Sequence, residues 1–211
     1  MSMENKKKIG EVISVAMARD QDLRERVRAM VMRALSERTL DKAEIRDVIS
    51  QAFAGVGAGM TQRGSQAAAA AREAVQGLDE AVGRSVYALQ MALEEAWEQG
   101  RQFTDTEMKT TVDELKGLED DLLGTLKDSA DKGQGAVKDI LSGLYEHLKR
   151  NGTDTGSQVK GVLDLLTNRL AGAAHGASSE LKEQAREGRD RLKSVASGIL
   201  RGLADGLDKP K

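Results

Sequence analysis

Residues 115–148 read LKGLEDDLLGTLKDSADKGQGAVKDILSGLYEHL, and they begin a pattern in which an apolar side chain recurs every eleven residues as far as Leu203. Eleven residues occupy three helical turns at about 3.67 residues per turn, which is close to the natural period of an α-helix. The recurring side chains therefore follow one side of the predicted helices. We call the following residues the apolar stripe: Leu115, Leu122, Leu126, Val137, Ile140, Leu144, Leu148, Val159, Leu163, Leu166, Leu170, Leu181, Leu192, Val195, Ile199 and Leu203.

Composition favours long helices. Of the 211 residues, 39% are hydrophobic but only 2% are aromatic, and the single proline lies near the end at Pro210. Because proline interrupts helices more strongly than any other residue, nothing before it forbids long ones. The chain also contains 22 glycines. Each costs a helix about 1 kcal/mol relative to alanine, so we expect the helices to gain order by docking on something.

We predict an all-α fold of long amphipathic helices in two parts. Residues 1–59 are expected to form a short N-terminal helical pair, with the first helix at about 9–36. Thr39 or Asp41 is expected to cap the second helix, since both side chains accept hydrogen bonds from helical N–H groups. The glycines within 55–59 are predicted to form a flexible hinge.

Residues 60–211 are predicted to carry three long helices, at about 65–102, 105–149 and 156–207. The first contains an alanine run and a heptad seam suited to packing against another helix. Capping boxes beginning at Thr104 and Thr155 precede the other two. Short connections favour antiparallel neighbours, so the arrangement is either a helical bundle or an elongated antiparallel helical hairpin.

The sequence offers no arrangement of residues that could catalyse a reaction. His147 and His175 lack the spacings of helical metal ligands. The acidic residues 119–121 are consecutive, so on one helix they point to different faces and are predicted to be solvated. The glycines at 55–59 lack the lysine of a phosphate-binding loop. We therefore expect a protein that is not an enzyme and that has no catalytic residues, cofactor, metal or small-molecule substrate.

Charge and cysteine content exclude other classes of protein. The net charge is −2 with both signs interspersed, whereas nucleic-acid binders carry a basic excess. The chain has no cysteine, which excludes disulfides and fits a reducing compartment. No segment approaches the roughly 20 apolar residues of a transmembrane helix. We expect a cytoplasmic protein without a nucleic-acid partner, acting at a granule or inner-membrane surface if the apolar stripe binds one.

Two short segments, VKDIL at 137–141 and VKGVL at 159–163, have the character of eleven-residue amphipathic-helix proteins. Together with the length, the absence of cysteine and the near absence of proline, they make residues 65–207 resemble the bacterial phasins, which coat polyhydroxyalkanoate granules. The resemblance implies a granule-associated coat protein. The abundant Gly, Ala, Lys and Asp are also similar to those of late-embryogenesis-abundant proteins, which protect against desiccation.

Two functional hypotheses follow from the apolar stripe, and the resemblance in composition to late-embryogenesis-abundant proteins implies a third. In the first, the protein coats an apolar surface, namely a storage-polymer granule, a lipid droplet or the periphery of a membrane, because lipid binding scales with the apolar area that a helix buries. In the second, the stripe pairs helix to helix in a structural homo-oligomer, coiled coil or filament. In the third, the protein is a stress protectant. The partners expected are an apolar surface and further copies of the chain.

Overall fold

The computed structural model describes residues 8–19, 21–38, 40–100, 105–172, 194–201 and 203–205. All regular structure in these ranges is helical, which confirms the predicted all-α fold. A 3-10 turn at Gly64–Gln66 precedes the longest helix, and residues 194–201 and 203–205 form a C-terminal helical segment. The α-helices are α1 (Lys8–Arg19), α2 (Leu23–Ser36), α3 (Lys42–Met60), α4 (Ala67–Glu98), α5 (Asp105–Leu115), α6 (Leu118–Lys132), α7 (Ala136–Asn151) and α8 (Asp154–Gly172).

Helix α4 lies at the centre of the fold and contacts α1, α2, α3, α7 and α8. Its 32 residues correspond to the helix predicted at about 65–102, of which residues 101 and 102 lie outside the described ranges. Its buried positions are mostly Ala, Gly and Val, so neighbouring backbones can approach closely. At Gly77, for example, a Cβ atom would overlap the carbonyl oxygen of Arg24 in α2.

One hydrophobic cluster extends through the described fold. It begins at Ile9 in α1, passes through Phe53 and Leu78, and continues to Leu166 in α8 and Ala204 in the C-terminal segment. That segment contacts the end of α2, where the Arg201 guanidinium donates a hydrogen bond to the Ser36 carbonyl oxygen at 3.3 Å. Both predicted parts of the chain therefore share one core.

The prediction of a single first helix at about 9–36 is wrong, because residues 21 and 22 are not helical and separate α1 from α2. The two helices have different neighbours: α1 packs mainly on α3, whereas α2 packs mainly on α4. One straight helix could not reach both. The predicted cap of the following helix is confirmed at Asp41, whose Oδ1 accepts from the Glu44 N–H at 2.9 Å.

The predicted glycine hinge at 55–59 is also wrong, because these residues lie inside α3. A Cβ at Gly55 would overlap the Gly10 carbonyl oxygen, and a Cβ at Gly59 would overlap the Met17 side chain. These glycines therefore allow α1 and α3 to approach closely, which is a packing role.

The helix predicted at about 105–149 is divided into α5, α6 and α7. Gly117 separates the first two with φ of +77°, and Gly135 precedes α7 with φ of +54°. Such dihedrals are natural for glycine and interrupt a helix. A single antiparallel hairpin of two long helices is therefore not what forms, whereas the bundle alternative agrees with the packing around α4.

The last predicted helix, at about 156–207, begins two residues earlier and ends its first described part at Gly172. Thr153, not Thr155, accepts at its Oγ1 from the Gly156 N–H at 2.8 Å in the manner of an N-cap. Thr155 Oγ1 instead donates to the Asp79 carbonyl oxygen at 3.1 Å. The capping box predicted at Thr104 lies outside the described residues, as do residues 173–193.

Candidate functional site

The apolar stripe lies largely on the inner faces of the helices. Its buried members are Leu115, Leu122, Leu126, Leu144, Val159 and Leu166. Partly buried members that pack against the core are Val137, Ile140, Leu148, Leu163, Ile199 and Leu203. Val195 remains 43% exposed. Leu181 and Leu192 lie outside the described residues, as does the side chain of Leu170. Within the folded chain, the stripe is therefore covered mainly by the protein's own helices.

Helix α7 carries stripe residues that the core covers only in part. Only Leu141 and Leu144 are buried among its side chains, while Val137, Ile140 and Leu148 are half-buried. The helix packs chiefly on α6, with a smaller contact to α4. Its apolar face is thus covered incompletely by the core, as are Val195, Ile199 and Leu203 of the C-terminal segment.

A cleft of about 580 Å³ separates part of α7 from the start of α4. Its α4 wall contains Ala68 and Arg72, and its α7 wall contains Ile140, His147 and Arg150. The apolar side of α7 therefore stands partly away from α4. On the α7 wall, His147 is exposed, and its Nδ1 lies 3.0 Å from the Asn151 side-chain nitrogen.

A second apolar face, formed by α1 and α3, was not predicted. Val12 is 47% exposed and Val15 is 54% exposed. Beside them lies a groove of about 590 Å³ lined by Gly10, Glu11, Ser14, Val15, Gln51, Ala54, Gly55 and Ala58, which we call the α1–α3 groove. The sequence signal was present, because residues 48–62 carry no charged side chain. The glycines at 55–59 within that run predict a hinge instead.

A buried carboxylate joins α4 to the beginning of α8. Asp79 accepts from the Asp154 N–H at 2.8 Å through one oxygen and from the Thr155 N–H at 2.9 Å through the other. Helix N-termini have backbone N–H groups without partners in their own helix, so a buried carboxylate satisfies two of them. Thr153 Oγ1 adds a bond of 2.6 Å to Glu119 Oε1 in α6. We call these contacts the α8 clasp.

The clasp corrects the prediction that residues 119–121 form a solvated acidic face. Glu119 and Asp121 are both half-buried. Glu119 faces α8, and the Asp121 carboxylate lies 3.3 Å from Lys42 Nζ in α3. Only Asp120 is exposed, as expected for a solvated residue. Consecutive acids on one helix do point to different faces, but two of those faces are covered by other helices.

Electrostatic effects differ between the two carboxylates that flank the clasp. Burial raises the pKa of Asp154, and the negative charges of Asp79 and Glu80 raise it further. Burial also raises the pKa of Glu80, but hydrogen bonds and positive charges from Arg24 and Arg28 outweigh it, so the net pKa is lowered. Next to the α8 clasp, Asp154 is therefore easier to protonate than usual, whereas Glu80 is stabilised as the anion.

Across the described ranges, no group of three or more His, Asp or Glu side chains is placed to hold a metal ion. The same ranges contain no helix that combines the length and apolar character needed to cross a membrane.

These features define the class as an all-α helical protein with one shared core, an incompletely covered helix α7 and an exposed α1–α3 face. Residues 1–209 match a protein-family model described as "Family of unknown function (DUF6781)", and the chain belongs to that family. Neither the curated proteins nor the solved structures provided a match.

Proposed function

We propose that this protein is a non-enzymatic helical protein that reversibly covers an apolar surface, such as a storage-polymer granule, a lipid droplet or the periphery of a membrane, in the manner of the phasins it resembles. One observation carries the proposal: the apolar stripe is distributed over α5–α8, separate helices joined at glycines, and its α7 part is only half-covered. Such helices can exchange one apolar neighbour for another.

The glycines between these helices provide the places where the chain would open. Gly117, Gly135 and Gly152 all have positive φ, with values of +77°, +54° and +80°. Rotation at these positions would turn whole helices outward without melting them. Each apolar side chain that leaves the core for an apolar phase stays out of water, so the change in hydrophobic free energy is small per residue.

Opening is limited by the α8 clasp, because α8 cannot leave α4 while Asp79 caps it. The Cγ of Asp154 lies 3.3 Å from the position that a Cβ at residue 83 would take. A pair of cysteines, Gly83→Cys with Asp154→Cys, therefore has suitable placement for a disulfide between α4 and α8. The chain has no other cysteine to interfere.

The test is flotation of the double-cysteine variant with polyhydroxybutyrate particles, a triolein emulsion and phosphatidylcholine vesicles. We expect wild type and the reduced variant to float with at least one of these surfaces. We expect the oxidised variant to float at least fivefold less, since α8 is then fastened. The reduced form is a matched control because its sequence is identical. Wild-type protein that remains unbound to all three surfaces would refute the proposal.

If the oxidised variant floats as well as the reduced one, the protein binds the surface without α8 leaving α4, and the opening mechanism is wrong.

The second hypothesis from the sequence, self-assembly into a structural oligomer, is favoured by a different observation, namely the exposed α1–α3 face.

A further inference from the structure

Helix α1 presents a ridge of four side chains on its outer side: Glu11, Val12, Val15 and Arg19, all exposed. Glu11, Val15 and Arg19 are spaced four residues apart, so they lie in one row along the helix. An acid stands at one end of this row, a base at the other, and a valine midway between them. We call these four residues the α1 ridge.

The α1–α3 groove runs beside this ridge and has a floor of small residues. It stays open because Gly10 and Gly55 bring the two helix backbones into direct contact and add no side chain of their own. On the α3 side the floor is formed by Ala54 and Ala58, within a run that contains no charge. The face therefore combines two exposed valines, Val12 and Val15, with a shallow groove lined mainly by small residues.

We propose that this face binds a second copy of the chain, with the two α1 helices antiparallel across a two-fold axis at Val15. In a two-fold interface the same surface serves both partners. With the axis at residue 15, Glu11 of each copy lies opposite Arg19 of the other, so two ion pairs flank the apolar centre. Val12 of each copy then lies opposite Ala18 of the other, next to the apolar centre.

The arrangement of charge favours a second copy over a lipid surface. A helix that binds anionic lipid carries several basic residues on its polar face. The α1 ridge instead carries one acid and one base at opposite ends, which match each other only when one copy is reversed. The interface is centred on a 12-residue helix, so it belongs among small, transient contacts. We expect a dissociation constant of about 1–100 μM.

This inference does not rest on the surface-coating function. The α1 ridge contains no residue of the apolar stripe, so a dimer formed through α1 leaves α7 and α8 unchanged. Failure of the dimer test and failure of the flotation test are therefore separate results.

The first experiment uses a single cysteine at the proposed axis. Because the chain has no native cysteine, Val15→Cys introduces the only thiol. Two copies related by an axis at residue 15 place these thiols together, so we expect a disulfide-linked dimer as the main species after mild oxidation. Val195→Cys is the matched control, since Val195 is a valine with a similar exposure of 43% in the C-terminal segment. Equal cross-linking of the two variants would overturn the proposal.

The second experiment tests the two ion pairs by charge reversal. Sedimentation equilibrium of the full chain should show that Glu11→Arg and Arg19→Glu each weaken self-association about tenfold. The double variant restores opposite charges across the axis and should recover affinity to within about twofold of wild type. Both residues are exposed on α1, and circular dichroism verifies that each variant is folded.

Two further outcomes would overturn the proposal. One is a strictly monomeric wild type at concentrations up to about 1 mM. The other is a double variant that associates no better than the single ones. If wild-type monomer binds anionic phosphatidylserine vesicles and Val15→Glu abolishes that binding, the face serves lipid and not a second copy.

Discussion

At the scale of single residues, the glycines of α3 divide into two kinds that the sequence cannot separate. Gly55 and Gly59 face α1, where an added Cβ would overlap atoms of that helix. Gly57 lies between them and has no atom within 4 Å of the Cβ position. The first two set how closely α1 and α3 approach, whereas Gly57 only lowers the helix propensity of its segment.

This difference predicts opposite effects for two equivalent substitutions. Gly55→Ala should lower the free energy of unfolding by about 1–3 kcal/mol, because the Gly10 carbonyl oxygen occupies the space that the methyl group needs. Gly57→Ala is the control in the same helix and should raise stability by about 0.5–1 kcal/mol. Urea unfolding followed by circular dichroism measures both. A stabilising Gly55→Ala would contradict the close contact between α1 and α3.

At the scale of helices, α4 could be predicted from sequence because its pattern agrees with its surroundings. The alanine run starts the helix, and the seam residues Val82, Val86 and Leu93 are buried as a heptad pattern requires. The breaks of the following region could not be predicted. Gly117 and Gly124 both interrupt the same apolar pattern, yet only Gly117 has positive φ, while Gly124 is helical. Packing of α6 against α3 and α8, which acts over long range, selects which glycine ends a helix.

Long-range packing also limits what the sequence predicts about the candidate surfaces. The period of the apolar stripe predicts that it lies on helices, and its described members do, but the sequence does not say whether another part of the chain covers them. Leu122 and Leu126 are buried, while Val195 in the same pattern is exposed. The α1–α3 face was missed because it depends on two helices that are far apart in sequence and meet through glycines.

The break at Gly117 can be tested by substitution. Gly117→Ala forces a residue with a Cβ into the left-handed region, which costs about 1–2 kcal/mol, so the free energy of unfolding should fall by that amount. Gly124→Ala in α6 has open space at its Cβ position and should stabilise by about 0.5–1 kcal/mol. Thermal and urea unfolding of both variants provide the measurement. If Gly117→Ala is as stabilising as Gly124→Ala, α5 and α6 form one continuous helix.

At the scale of the whole molecule, the α8 clasp links stability to the proposed opening. Asp79, Glu80 and Asp154 bring three carboxylates together where α4 meets α8. Partial burial and then the negative charges of Asp79 and Glu80 raise the pKa of Asp154 above its ordinary value of 3.8. A raised pKa means that the folded state binds this proton more tightly than the unfolded state does. The contribution of Asp154 to stability is therefore fully present below about pH 3.8 and is lost as pH rises through the raised value.

At neutral pH the ionised Asp154 thus opposes closure of α8 on α4, and its removal should strengthen the closed form. We expect Asp154→Asn to raise the free energy of unfolding at pH 7 by a few tenths of a kcal/mol. The effect is small because Asp154 is only partly buried against α4, and the water that still reaches it screens its charge. The difference in unfolding free energy from wild type should vanish near pH 3, where both side chains are neutral.

A few tenths of a kcal/mol corresponds to about a twofold change in an equilibrium. Flotation of Asp154→Asn at pH 7 should therefore fall about twofold relative to wild type. Urea unfolding and flotation of the same preparations at both pH values test this link, and a variant that is more stable but floats equally well would show that opening of α8 does not limit surface binding.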